Sequence, residues 1–155
     1  MRAATHCVLM KHLTPDQYKD VSERCAAFRV RKAARVVTRV YDEALRPIDL
    51  KITQFTLLIS IQMGEPESIT ELAEILGMER TTLTRNLSVL ERAGLIDVRE
   101  EGGRARHMVV TEKGLEKLAL AHPLWEEAQG RVETSMGDTT WSDAKAAFSA
   151  LGSLA

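Results

Sequence analysis

The stretch from Ile69 to Glu100, ITELAEILGMERTTLTRNLSVLERAGLIDVRE, constrains the fold more than any other part of the chain. Leu72, Ala73, Ile75 and Leu76 give one apolar helical face, Gly77 interrupts it, and Leu83, Leu87 and Leu90 begin another. The spacing predicts two short helices meeting at a tight turn. Ala73 is small enough for a close helix crossing, Gly77 suits the positive φ that such a turn needs, and Leu83 and Leu87 anchor the second helix on the first.

With those leucines inward, Thr81, Arg85, Ser88 and Arg92 point the opposite way, and Thr82 and Thr84 flank them. None of these side chains is acidic. Short hydroxyls around a long guanidinium suit a helix entering a DNA major groove, where Arg bonds guanine O6 and N7 and Thr reaches phosphates or a thymine methyl. An ordinary solvated face can have the same composition, so the segment that follows carries weight. After Ala93-Gly94, residues 95–99 and 106–110 are two β-capable runs around Glu100-Glu101-Gly102-Gly103, whose paired glycines suit a hairpin turn. A helix-turn-helix followed by a hairpin predicts a winged helix. Arg104 falls at the hairpin tip and Arg106 on the return strand, within reach of an adjacent minor groove.

A chain of 155 residues is long enough for one compact unit with accessory helices and too short for two large domains. The formal net charge of −1 excludes a generally basic nucleic-acid coat, so any basic footprint is local. From Arg80 to Arg106 six arginines face four carboxylates, a local +2 that leaves −3 for the rest. That balance predicts selective binding with few phosphate contacts. No apolar run reaches the length of a membrane span and Met1 to Lys11 lacks a signal-peptide pattern, which predicts a cytoplasmic protein with no membrane partner. Cys7 and Cys25 form no CxxC pair and read as reduced thiols; with His6 and His12 they match no compact zinc motif, so no metal or cofactor is expected. No Ser/His/Asp or Cys/His constellation, phosphate loop or paired carboxylate suggests an enzyme.

Thr14-Pro15-Asp16-Gln17 is a helix start with the pattern of a capping box. Apolar residues then recur from Tyr18 to Leu45 until Arg46-Pro47 ends the run, as one long helix or two pieces hinged near Ser22. An apolar stripe of that length exceeds what one small winged helix can cover, which predicts a dimer. Arg31, Lys32, Arg35 and Arg39 cluster on another side as a solvated or ion-paired face. Residues 53–61, TQFTLLISI, form a core helix, and Ser68 or Thr70 caps the next. Past the hairpin, Thr111 opens a helix with Leu118, Trp125 and Val132 on one face and a bend expected near His122-Pro123. A last helix from Thr140 carries Trp141, Ala144, Phe148 and Leu151 on one side, and reads as the other half of a dimer interface.

The stretches RKAARVVTRVYDEALRP at 31–47, TQFTLLISI at 53–61, ITELAEILGMERTTLTRNLSVLERAGLI at 69–96 and VTEKG at 110–114 resemble the multiple antibiotic resistance regulator (MarR) family, over roughly residues 25–151. The resemblance implies a homodimeric winged-helix regulator, commonly a repressor, that binds double-stranded DNA at an inverted repeat and is released by a small aromatic or phenolic effector or by oxidation. By position, Thr81, Thr82, Thr84 and Arg85 match the family's recognition-helix contacts, and Arg104 or Arg106 its wing arginine. Many members hold that arginine with an Asp where Gly102-Gly103 stand here. In the hydroperoxide-sensing branch the reactive cysteine lies eight residues before the arginine that Arg35 resembles; that position is Ala27 here, with Cys25 two residues earlier and about 200° round the helix.

The expected fold is therefore mainly α with a small β-hairpin wing: a winged helix-turn-helix region at 48–111 between dimerisation helices at 14–47 and 112–155. The expected DNA contacts are Thr81, Thr82, Thr84, Arg85, Ser88, Arg104 and Arg106. Phe28, Arg31, Arg35, Phe55, His122 and Trp125 are candidates for an effector site at the junction of the dimer helices and the winged helix. Two alternatives stand beside this reading. One is a winged-helix interaction module without DNA binding, and the other a redox-sensing regulator acting through Cys25.

Overall fold

The computed structural model describes residues 12–64, 66, 68–101 and 105–153. In chain order these form α1 (Pro15–Arg24), α2 (Ala26–Leu45), a 3-10 turn (Arg46–Ile48), α3 (Ile52–Gly64), α4 (Ile69–Leu76), α5 (Arg80–Arg92), β1 (Ile96–Glu101), β2 (Ala105–Val110), α6 (Glu112–Met136) and α7 (Asp138–Gly152). The architecture is mainly α with a two-stranded antiparallel hairpin. The chain parts into two compact units between Val36 and Val37.

In the first unit, Thr14 Oγ1 accepts the Gln17 N–H at 3.3 Å while Gln17 Oε1 accepts the Thr14 N–H at 2.8 Å. This is the reciprocal cap that the sequence predicts, and it satisfies two donors that a helix start leaves open. The break in the long N-terminal run falls at Cys25 rather than near Ser22, with Cys25 at φ −64° and ψ 104°. The Cys25 N–H still bonds the Val21 carbonyl at 3.0 Å, and the Arg29 guanidinium donates to the Glu23 carbonyl. Those bonds serve carbonyls at the end of α1, which is why the interruption is tolerated there. No residue of α1 is buried, and Tyr18, Val21 and Phe28 are all more than half exposed.

The second unit is built around a core of Leu45, Leu58, Ile61, Leu72, Leu83, Leu87, Leu90 and Ile96 with their neighbours. Periodicity places α3 at 53–61, and the helix runs from Ile52 to Gly64 because both flanks extend it. At its start Asp42 Oδ1 accepts the Ile52 N–H at 2.8 Å, Gln54 Oε1 accepts the Lys51 N–H at 2.8 Å, and the Lys51 ammonium lies 3.5 Å from Asp42 Oδ2. Buried Phe55, Leu57, Leu58 and Ile61 cover more than one side of α3, so it lies within the core rather than along its edge.

Both hairpin strands reach further toward the turn than the β-capable runs suggest, and Gly102, Gly103 and Arg104 lie outside the described residues. Ile96 pairs with Val110 and Val98 with Met108, so one face of the hairpin continues the core. α6 runs through Pro123 without ending, although proline has no N–H to complete the bond to the Ala119 carbonyl. Further along, the Tyr41 hydroxyl donates to Gln129 Oε1, and Gln129 Nε2 donates to Glu133 Oε1 at 2.7 Å. Burial pushes the Tyr41 hydroxyl above the usual phenol range, and the Glu133 charge adds to the shift. α7 has no buried residue, and its Phe148 and Leu151 are exposed.

Candidate nucleic-acid interface

Leu83 and Leu90 are fully buried and Leu87 nearly so, which fixes the rotation of α5 about its axis. Thr81, Thr82, Thr84, Arg85 and Arg92 are consequently exposed and Ser88 is half-buried. Arg85 has no hydrogen bond or ion pair within the described residues, so its guanidinium is available to an external acceptor. Thr84 Oγ1 donates to the Arg80 carbonyl at 2.9 Å, Ser88 Oγ to the Thr84 carbonyl at 3.0 Å, and Arg92 Nε to the Ser88 carbonyl at 3.1 Å. Thr84, Arg85, Ser88, Val89, Glu91 and Arg92 border a shallow depression. Leucine periodicity alone gave Glu91 no part in the site.

The entry to α5 is set by α4. Ser68 Oγ accepts the Glu71 N–H at 3.1 Å to cap α4, and Gly77 ends it at φ 58° and ψ 36°. The Gly77 N–H bonds the Glu74 carbonyl at 3.1 Å and the Met78 N–H bonds the Ala73 carbonyl at 2.8 Å, the bond pattern of a left-handed glycine stop. Only Gly77, Met78 and Glu79 separate the two helices. Glu79 makes no side-chain cap bond, leaving the first-turn N–H groups of α5 open to a phosphate oxygen.

The far end of α5 is held by the VTEKG segment, for which the sequence offered a resemblance and no mechanism. Thr111 Oγ1 accepts the Gly114 N–H at 3.1 Å, starting α6, and donates to the Gly94 carbonyl at 2.7 Å. Lys113 Nζ donates to the Ala93 carbonyl at 2.7 Å, beside the C-terminus of α5. Gly114 packs so closely that an added Cβ would fall inside van der Waals contact of the Leu95 carbonyl oxygen and 2.6 Å from Val110 Cγ1. Tied at its far end by these bonds and seated by its buried leucines, α5 presents its outer row at the surface.

On the hairpin, Arg106 lies on β2 opposite Glu100. Arg104 lies outside the described residues. On β1 the Arg99 guanidinium pairs with Asp97 at 3.6 Å in solvent.

The candidate effector residues fall in different surroundings. Phe28, Arg31 and Arg35 are exposed on the part of α2 that belongs to the first unit. In the second unit Phe55 is buried and stacks on Trp125 with ring centroids 6.2 Å apart, while exposed His122 lies 6.1 Å from the Trp125 ring and 3.6 Å from Glu126. A cavity of about 270 Å3 opens on another side of α3, lined by Thr38, Ile52, Thr53, Thr56, Leu57, Leu76, Met78 and Asn86. Those residues come from α2, α3, α4, the turn and α5, so no local motif marks them. Cys25 is a half-buried free thiol. Among the described residues no group of three His, Cys, Asp or Glu could hold a metal, and His6 and Cys7 lie outside them. No helix among them is long and apolar enough to cross a membrane.

Comparison with known proteins gives this geometry a context. The M. tuberculosis transcriptional regulator MosR is 40% identical, with 85% of this chain aligned to 96% of that one at a TM-score of 0.75; its complex with DNA aligns at 0.77. The transcriptional repressor CouR is 25% identical over 87% of this chain and 94% of its own, with a TM-score of 0.70. Among curated proteins, the Bacillus subtilis HTH-type transcriptional regulator YwoH is 27% identical over 89 residues, 57% of this chain and 65% of YwoH. The match thus spans slightly less than two thirds of that relative's length. A family model described as the MarR family matches residues 48–107, from the end of the 3-10 turn to the middle of β2. With a winged helix-turn-helix in place and a relative of this identity and coverage, the chain belongs to the MarR family of transcriptional regulators.

Proposed function

We propose that this chain is a sequence-specific DNA-binding transcriptional repressor that acts as a homodimer on an inverted repeat. The observation that carries the reading is α5. Its outer row holds Thr81, Arg85, Ser88 and Arg92, Arg85 is unpartnered among the described residues, and the helix is fixed by buried leucines and by the Thr111 and Lys113 bonds. A rigid helix with an unpaired guanidinium at its centre is suited to reading base edges, because little order is lost on docking. Thr81, Thr82, Thr84, Arg85 and Ser88 are the proposed recognition-helix contacts, and Arg104 and Arg106 the wing contacts. MosR, a relative at 40% identity, has been crystallised with DNA, which supports the same partner here. The name of CouR supports repression rather than activation.

Dimerisation rests on apolar surface that a single chain leaves open, including Tyr18, Val21, Val36, Val37, Phe148 and Leu151. The effector is proposed to be a small molecule with an aromatic or otherwise apolar body. The cavity beside Asn86 supports this, since a ligand there would press on α5 itself. The test is a gel shift on the DNA immediately upstream of the chain's own coding sequence at two salt concentrations. A discrete complex that weakens with salt and resists competition by unrelated DNA is expected. Equal retardation of every DNA would remove sequence-specific repression, and no retardation of any DNA would favour an interaction module.

A further inference from the structure

Several polar groups on α5 are already engaged within the helix, and this decides what each can offer to a base. A hydroxyl has one proton. Ser88 directs its proton at the Thr84 carbonyl, 3.0 Å away, and Thr84 at the Arg80 carbonyl, 2.9 Å away, so both oxygens turn only lone pairs outward. Arg92 is folded back onto the Ser88 carbonyl through Nε. Thr81 and Thr82 stand in the first turn and make no such bond within the described residues, so their protons remain free for phosphate oxygens. The outer face therefore carries a free double donor at Arg85, an acceptor beside it at Thr84 and another at Ser88, three residues on, next to apolar Val89.

Resting on the reading of α5 as the recognition helix, we propose that Ser88 and Val89 read an A·T pair beside the guanine contacted by Arg85. In the major groove the amino donors are adenine N6 and cytosine N4, whereas guanine O6 and thymine O4 are acceptors that would repel the Ser88 oxygen. Val89 separates the two amino-bearing bases. It is 40% exposed and borders the same depression as Arg85 and Ser88, and an apolar side chain there gains from a thymine methyl. An A·T pair offers an amino group and a methyl together, and C·G does not. Along the helix axis three residues span about 4.5 Å, a little more than the spacing of about 3.4 Å between successive bases. The A·T pair is therefore adjacent to the guanine or one step further.

The test is selection of binding sites from a random duplex library by the full chain and by Ser88→Ala, Val89→Ala and Arg85→Ala, with circular dichroism as the check that each variant is folded. The full chain should enrich a guanine with A·T one or two steps away. Ser88→Ala should retain the guanine and lose about tenfold of the A·T preference, and Val89→Ala should no longer distinguish thymine from uracil at that position. If the full chain enriches no sequence, the recognition-helix reading and this assignment fall together. If it enriches a guanine that Arg85→Ala loses, while Ser88→Ala leaves the neighbouring preference intact, the helix assignment stands and the A·T assignment is overturned.

Discussion

Arg85 and Arg106 are both arginines of the winged region, and the proposed reading gives them different work. Arg85 sits in the middle of a hydroxyl-lined helix face with no partner among the described residues, whereas Arg106 belongs to the return strand of the hairpin. Arg85→Ala is expected to weaken binding to the cognate site by about 1–3 kcal/mol and to relax preference at one base pair per half-site. Arg106→Ala should weaken binding to all sequences alike and lower the salt dependence by about one phosphate equivalent. Titrating both variants on cognate and scrambled duplexes at several salt concentrations checks the pair. A sequence-independent loss from Arg85→Ala together with a cognate-only loss from Arg106→Ala would reverse the two roles.

Among the elements, those governed by near neighbours were legible in the sequence. Leu83, Leu87 and Leu90 repeat at the helical period, Gly77 marks the stop of α4, and Thr14 with Gln17 announces the start of α1; the backbone follows each of them. What escaped depends on contacts across the chain. Asp42 caps α3 from ten residues away, Lys113 reaches Ala93 over twenty, and the cavity beside Asn86 draws its walls from separate elements. The break at Cys25 escaped for another reason, since apolar spacing continues on both sides of it and only the extended ψ reveals it.

Gly114 shows the same limit. It looks like a poor choice inside α6, yet its missing Cβ admits the Leu95 carbonyl and Val110. Gly114→Ala should therefore destabilise the protein by about 1–3 kcal/mol, overpacking outweighing the gain in helix propensity. Gly130→Ala in the same helix meets nothing within 4 Å and should stabilise by about 0.5–1 kcal/mol. Denaturant unfolding of the two variants decides between close packing and propensity.

For the whole molecule, no residue of α1 or α7 is buried among the described residues, although both helices carry large apolar side chains. Removing residues 138–155 is expected to convert a dimer into monomeric or aggregated protein, which light scattering resolves. A truncated chain that stayed a well-behaved dimer would take α7 out of the interface. Two α5 helices related by a dimer axis would call for half-sites about one helical turn apart, roughly 10 base pairs.

The bonds from Thr111 and Lys113 to Gly94 and Ala93 make the first turn of α6 and the end of α5 one mechanical piece. A helix of 25 residues is about 38 Å long, so a tilt of about 5° at one end displaces the other by about 3 Å, close to one base-pair step. On the proposed dimer reading, α6 would be a ruler as well as a support: an operator with one base pair added between its half-sites would strain this long helix and the Thr111 and Lys113 joint.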